Sequence, residues 1–262
     1  MCNLLYNHPA PVRILVISDI HANLEALEAC LAAAPPHDLV VNLGDLVGYG
    51  ASPNEVIERV QALGKIFVRG NHDKACSGIS SMEGFNPIAG LAVLWTRTML
   101  RQDNLAWLRT LPAGPLPLEG APGVQLAHGS PLDEEQYLLM LSDAVDSLVQ
   151  AKAPITFFGH SHIQGGFLLN GNDAAVLRPI FETGDRAEQY EYQLQAYGRY
   201  LINPGSIGQP RDGDWRAAFA LYDTGSRIVT YHRVPYDVKK TQERIIKADL
   251  PQRLARRLAE GR

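Results

Sequence analysis

Val12-Arg13-Ile14-Leu15-Val16-Ile17-Ser18-Asp19-Ile20-His21 decides how the rest of the chain is read. Val12 to Ile17 is an apolar run of strand length, the pattern of a strand buried on both faces. Ser18 to His21 then release the chain into a helix that carries Leu24, Leu27 and Leu31 on one face and ends at Pro35-Pro36. Leu39 to Leu43 reads as a second strand. Ser52-Pro53-Asn54-Glu55 bears the marks of a helix start, with Ser52 as cap, Pro53 at the first helical position and Glu55 completing a capping box. Val56, Ile57, Val60 and Leu63 supply that helix with its buried stripe, and Lys65 to Val68 is a third strand. This βαβαβ order predicts an α/β fold whose sheet has parallel neighbours.

Beyond residue 74 the pattern loosens. Residues 75–86, rich in Gly and Ser, read as a loop, and 87–109 as helix broken near Asp103. Val124 to Ala127 and Ile155 to Phe158 are strands, separated by a helix over 142–151. Further strands are expected at 165–170, 174–177, 200–202, 217–222 and 227–234, with hairpin turns at Asn170-Gly171-Asn172 and Asp223-Thr224-Gly225. Leu91, Leu94, Trp95 and Met99 are read as core, with a lid or a dimer surface over 75–110 as the alternative. No repeat or interdomain linker interrupts the chain, so 12–262 is expected to form one domain behind a flexible tail, 1–11.

Apolar residues make up 46% of the 262 and charged residues 20%, the balance of a folded globular chain. No run approaches the ~18 uninterrupted apolar residues of a membrane span. Residues 1–11 lack the basic start and apolar run of a secretory signal. Cys2, Cys30 and Cys76 cannot all pair and form no CxxC, which predicts a reducing, cytoplasmic location. The net charge of −4 argues against a nucleic-acid partner without closing that option. Residues 239–262, however, hold eight basic and three acidic side chains. They read as one amphipathic helix with Ile245, Ile246, Leu250, Leu254 and Leu258 inward and Arg253, Arg256 and Arg257 in water. A solvated face is the plainer use of those arginines, and a nucleic-acid or partner contact the alternative.

Five strand ends are each followed by side chains able to bind a metal: Asp19-Ile20-His21, Gly44-Asp45, Gly70-Asn71-His72-Asp73, His128-Gly129 and Gly159-His160-Ser161-His162. In open α/β sheets the loops at the carboxyl ends of strands converge on one crevice. Taken singly each group is weak, since a DxH or a GD serves as readily in a turn or a cap. Together they are not: buried carboxylates, an amide and several imidazoles without a counter-ion would be costly, and divalent cations remove that cost. A nitrogen and oxygen donor set without thiolate suits two ions of Mn, Fe, Ni or Zn.

In this order and spacing, DxH, GD, GNH[DE], H and GHxH resemble the calcineurin-like metallophosphoesterases, in their small stand-alone prokaryotic form. Asn203-Pro204-Gly205-Ser206 and Gly208-Gln209-Pro210-Arg211 extend the likeness to about residue 235. The resemblance implies a four-layer α/β/β/α sandwich of two mixed β-sheets flanked by helices. It implies one metal on Asp19, His21 and His162, a second on Asn71, His128 and His160, and Asp45 bridging both. A hydroxide activated by the pair would attack phosphorus, with His72 as proton donor at the leaving group and Asp73 or another carboxylate orienting its ring.

Among substrate contacts, Arg211 could clamp a phosphate or sit in an exposed salt bridge. Tyr49 could stack on a base, with a core or rim aromatic as the plainer reading. Phe85 and Tyr137 are candidate pocket walls. Cys76 is read as inert, and His8, His37 and His232 have no ligand-like context. The expected function is hydrolysis of a small phosphodiester or nucleotide-like substrate. Phosphomonoesterase or phosphoprotein phosphatase, nuclease and non-catalytic protein-binding scaffold are the alternatives, and a homo-oligomer stays open.

Overall fold

The computed structural model describes residues 10–262, so most of the tail expected at 1–11, with Cys2 and His8, lies outside the described residues. Chain order begins β1 (Arg13–Ile17), α1 (Leu24–Ala33), β2 (Leu39–Asn42), α2 (Pro53–Leu63) and β3 (Ile66–Phe67). The parallel βαβαβ unit is as expected, with β1 paired to β2 and β2 to β3. Ser52 precedes α2 but makes no side-chain cap; its hydroxyl lies 3.4 Å from Arg244 Nη1.

The next segment departs from the sequence reading. Residues 71–77 form a helix, α3 (Asn71–Ser77), where the loop was expected to begin at 75. Burial runs along it from His72 to Ser77, so no amphipathic stripe marks it. The long helix is broken as expected, into α4 (Pro87–Met99) and α5 (Gln102–Leu108). Leu91, Leu94 and Met99 are exposed rather than core, because α4 packs through Ala89, Ala92, Val93 and Thr96; only Trp95 leans on a buried cluster.

β4 (Leu116–Pro117), β5 (Val124–Leu126), α6 (Leu141–Gln150) and β6 (Ile155–Phe157) follow, then β7 (Gly165–Asn170) and β8 (Asp173–Leu177) as a hairpin. β9 (Glu188–Gln193) was not anticipated. β10 (Arg199–Asn203), β11 (Ala217–Asp223) and β12 (Ile228–Val234) complete the strands. The expected C-terminal helix is two, α7 (Val238–Lys247) and α8 (Gln252–Leu258). The break falls at Asp249, in left-handed backbone at φ +56°, two residues before Pro251, which has no N–H for a continuing helix.

The strands form two six-stranded mixed sheets, β3-β2-β1-β11-β12-β9 and β4-β5-β6-β10-β7-β8. Ile14, Val16, Val41 and Leu43 of the first meet Leu126, Ile155, Phe157 and Ile202 of the second in the core between them. On the outer face of the first sheet, Leu15 and Ile17 pack with Leu27, Val56 and Ile57 of α1 and α2. Ala144 and Leu148 of α6 cover Phe167 and Leu201 of the second. β1 is thus buried on both faces, as its apolar run predicts, and the layers are α/β/β/α. No helix among the described residues is long and apolar enough to cross a membrane.

Candidate metal centre

The seven candidate ligands all follow strand ends. β1 leads to Asp19 and His21, β2 to Asp45 and β3 to Asn71, while β5 leads to His128 and β6 to His160 and His162. Asp19, His21, Asp45, His128 and His162 are at most 1% exposed. Among the described residues nine non-glycine residues have positive φ, and Asp19, His21, Ala22, Asp45, Tyr49, His160 and His162 are seven of them. Such backbone costs of order 1–3 kcal/mol per residue and persists only where surrounding contacts enforce it. The strain is concentrated on the loops that aim these side chains.

Their donor atoms converge. His21 Nε2 lies 3.1 Å from His162 Nε2, and His162 Nε2 lies 3.3 Å from Asp19 Oδ1. In the second group, His160 Nδ1 is 3.1 Å and Asn71 Oδ1 3.2 Å from His128 Nε2. Asp45 Oδ2 stands between the groups, 3.6 Å from His21 Nε2 and 3.5 Å from His128 Nε2. A cation with bonds near 2.1 Å spaces its donors about 3 Å apart, so these spacings are of the size a bound cation requires. Asp19, His21, Asp45 and His162, and separately Asp45, His128 and His160, could each hold an ion.

The polar atoms behind the donors fix their orientation. The Nδ1 atoms of His21, His128 and His162 lie at the carbonyls of Val47, Leu43 and Gln209, at 3.1, 2.7 and 2.6 Å, which leaves Nε2 to face inward. His160 is reversed: Nε2 meets the Glu135 carbonyl at 3.1 Å, and Nδ1 faces the centre. Ser206 Oγ donates to the Asp19 carbonyl, and Asn203 Nδ2 to the Gly159 carbonyl. The Glu135 carbonyl carries no side-chain signature, so sequence reasoning could not find it.

Asp73 does not orient the His72 ring, contrary to expectation. Its carboxylate accepts from the backbone N–H groups of Gly70, Asp45, Leu46 and Val47, so both oxygens lash the Asp45 loop to the start of α3. Burial and the nearby Asp45 charge push its pKa up to about 7.

His72 lies against the centre without joining either ligand group. Its ring is 4.4 Å from Tyr49, 4.9 Å from His21 and 4.9 Å from Phe85, centroid to centroid, and its Nδ1 is buried without a partner. Burial lowers its pKa to about 4. His160 falls to about 3 for the same reason. At His128 burial also opposes the charge, but the Asp45 carboxylate outweighs it and lifts the pKa to about 9. Burial raises and His162 lowers the pKa of Asp19, and the imidazole prevails.

Arg211 stands over Tyr49, its guanidinium carbon 5.7 Å from the ring centroid, and Nη2 donates to Gln209 Oε1 at 3.1 Å. Tyr137 stacks on His160 at 3.7 Å and is 45% exposed, at the rim. Cys76 is buried with its thiol pKa pushed well up by burial, His37 bonds only its local Pro35 carbonyl, and His232 stacks on Phe219 away from the centre.

The sequence profile of the family described as calcineurin-like phosphoesterase matches residues 12–177. An uncharacterized protein of Methanocaldococcus jannaschii is 37% identical over 253 residues, which cover 95% of this chain and 98% of that protein. The crystal structure of a metallophosphoesterase from Sphaerobacter thermophilus superposes with a TM-score of 0.81 at 38% identity, over 96% of this chain and 100% of that one. A hypothetical protein of Pyrococcus horikoshii shares the fold, with a TM-score of 0.75 at 20% identity over 96% and 99% of the two chains.

Proposed function

The chain belongs to the calcineurin-like phosphoesterase family and is a metal-dependent phosphoester hydrolase, and from that premise we propose that it cleaves a small phosphodiester or nucleotide-like substrate with two divalent ions held at this centre. The observation that carries this reading is the position of Asp45 Oδ2 between the His21 and His128 nitrogens, each about equally far away. Asp19, His21 and His162 would hold one ion and Asn71, His128 and His160 the other. When bound, the ions supply a nucleophilic water at neutral pH and offset the charge that grows on the phosphoryl oxygens.

The chain's own residues do the rest. Asp45 holds the two ligand groups together while placing negative charge between them. His72, clamped among Tyr49, His21 and Phe85, is held neutral by burial and would donate a hydrogen bond from its ring N–H to the leaving oxygen. Arg211 would receive a phosphate oxygen, its Nε being buried and unpartnered. Tyr49 and Tyr137 would wall the leaving group. We take 12–262 as one catalytic domain, since β11 and β12 complete the sheet that β1 begins.

Stripping metal and restoring Mn, Ni or Zn should abolish and recover turnover of model diesters and monoesters. Asp45→Asn should lose metal and activity together. His72→Ala should keep its metal and lose about 10²–10⁴ in rate. An empty centre in His72→Ala would assign that ring to coordination instead. Full metal occupancy with no turnover of any phosphate ester would favour the scaffold.

A further inference from the structure

Tyr49, whose ring lies beside His21 and His72, also borders a cavity of about 760 Å³ that none of the candidate ligands lines. Arg253, Arg256 and Arg257 of α8 line one wall, and Asn86, Pro87 and Ile88 at the amino end of α4 line another. Arg257 Nε donates to the backbone oxygen of Arg262 and Arg256 Nη2 to Gln252 Oε1 at 3.4 Å, and among the described residues no carboxylate side chain pairs with any of the three, although Glu260 also borders the space. Arg253 and Arg256 are exposed, as on a solvated helical face, whereas Arg257 is half-buried. Arg257 is drawn over the Tyr49 ring, 6.0 Å from its centroid, while Arg211 sits over the same ring at 5.7 Å. Two cations crowd one aromatic side chain that itself lies 4.7 Å from His21 and 4.4 Å from His72. Burial and then the charge of Arg211 both lower the pKa of Arg257, which marks an electrostatic cost that an anion between them would relieve. The amino end of α4 adds the positive end of a helix dipole to the same space.

We propose that this cavity binds a second phosphate group of the substrate, so that the preferred substrates are small esters bearing two phosphates rather than one. The inference rests on the metal-centre reading above, since it takes the scissile phosphate to sit at the metal centre, which Tyr49 also borders. Arg211 and Arg257 bracket Tyr49 as the passage between the two subsites, and Arg253 and Arg256 supply the remaining positive charge.

Phosphonates, which resist hydrolysis, separate binding from turnover. Calorimetry on the manganese-loaded full chain should show pentane-1,5-diylbisphosphonate binding at least about tenfold more tightly than methylphosphonate, the gain expected of added charge-assisted contacts. The double variant Arg253→Gln/Arg256→Gln, at two exposed positions, should erase that advantage, and a melting curve should confirm that it folds. Equal affinities in the wild type, or an advantage that survives in the variant, overturns the second subsite. A parallel assay compares p-nitrophenyl phosphate with thymidine 3′-phosphate 5′-(p-nitrophenyl phosphate). The ratio of their kcat/KM should fall at least about tenfold in the double variant, through KM, and an unchanged ratio counts equally against the subsite. Failure of the manganese-loaded chain to turn over either ester, with the bisphosphonate advantage intact, removes the hydrolytic reading and leaves the anion site standing.

Discussion

Gly159 shows what a single missing atom does at this centre. A Cβ there would lie 2.0 Å from Ser18 Oγ and 2.7 Å from Asp19 Oδ2, the very carboxylate that the following residue's N–H holds at 3.1 Å. The glycine of the GHxH motif is therefore explained by space around Asp19, and the sequence supports only the weaker statement that glycine permits close approach. Gly159→Ala should displace Asp19 and cut manganese affinity by at least about tenfold in equilibrium dialysis, with circular dichroism unchanged, since partners behind a ligand typically contribute that much. Undiminished affinity would mean that Asp19 is not a ligand. Single residues were otherwise legible by type and not by neighbour. The motif names Asp73, yet nothing in the chain order shows that its oxygens reach back to the loop of Asp45. Tyr49 gave no more than an aromatic four positions beyond a candidate ligand, and its place between two arginines depends on contacts with α8, some 200 residues away in the chain.

Elements were readable where periodicity or a proline marked them, and were missed where burial left no contrast. α3 is buried along nearly its whole length, and β9 is an edge strand whose Tyr190 and Tyr192 alone lean on the core between the sheets. The α7–α8 junction was hidden because apolar spacing continues across it. There Asp249 takes left-handed backbone, its N–H donating to Ile246 at 3.0 Å while that of Leu250 reaches Ile245 at 3.2 Å, a helix stop that favours glycine. Asp249→Gly should stabilise the fold by about 0.5–1 kcal/mol and raise Tm by about 2 °C, read by calorimetry. On β12, His232 stacks over Phe219 and burial lowers its pKa to about 4. The unfolded chain binds that proton near pH 6.5, so the neutral ring contributes stability above pH 6.5 that is lost as pH falls toward 4. Relative to His232→Phe, the wild type should lose about 1–2 kcal/mol between pH 7 and pH 5 in denaturant titrations. A constant difference across that range would show that burial does not hold the ring neutral.

The two sheets meet at the centre. Asp19, His21, Asp45 and Asn71 leave strands of the first, and His128, His160 and His162 leave strands of the second. The sequence displayed the order of these ligands but not their division, because β1 pairs with β11 and β6 with β10 across intervals that local pattern does not span. A cation held by Asp19, His21 and His162, or by Asn71, His128 and His160, would therefore tie one sheet to the other, and its binding free energy would add to the cohesion of the whole sandwich. Binding to the native state alone stabilises by RT ln(1 + [L]/Kd), about 2.7 kcal/mol at a hundredfold excess over Kd. For a chain of this size that corresponds to roughly 5–10 °C in Tm. Melting curves of the chelated protein should shift upward steadily with the logarithm of added manganese. Asp45→Asn, which removes the oxygen between the two groups, should flatten the dependence while leaving the metal-free Tm within a few degrees of the wild type. A manganese shift that survives intact in Asp45→Asn would place the stabilising ion elsewhere and dissolve the link between this centre and the joining of the sheets.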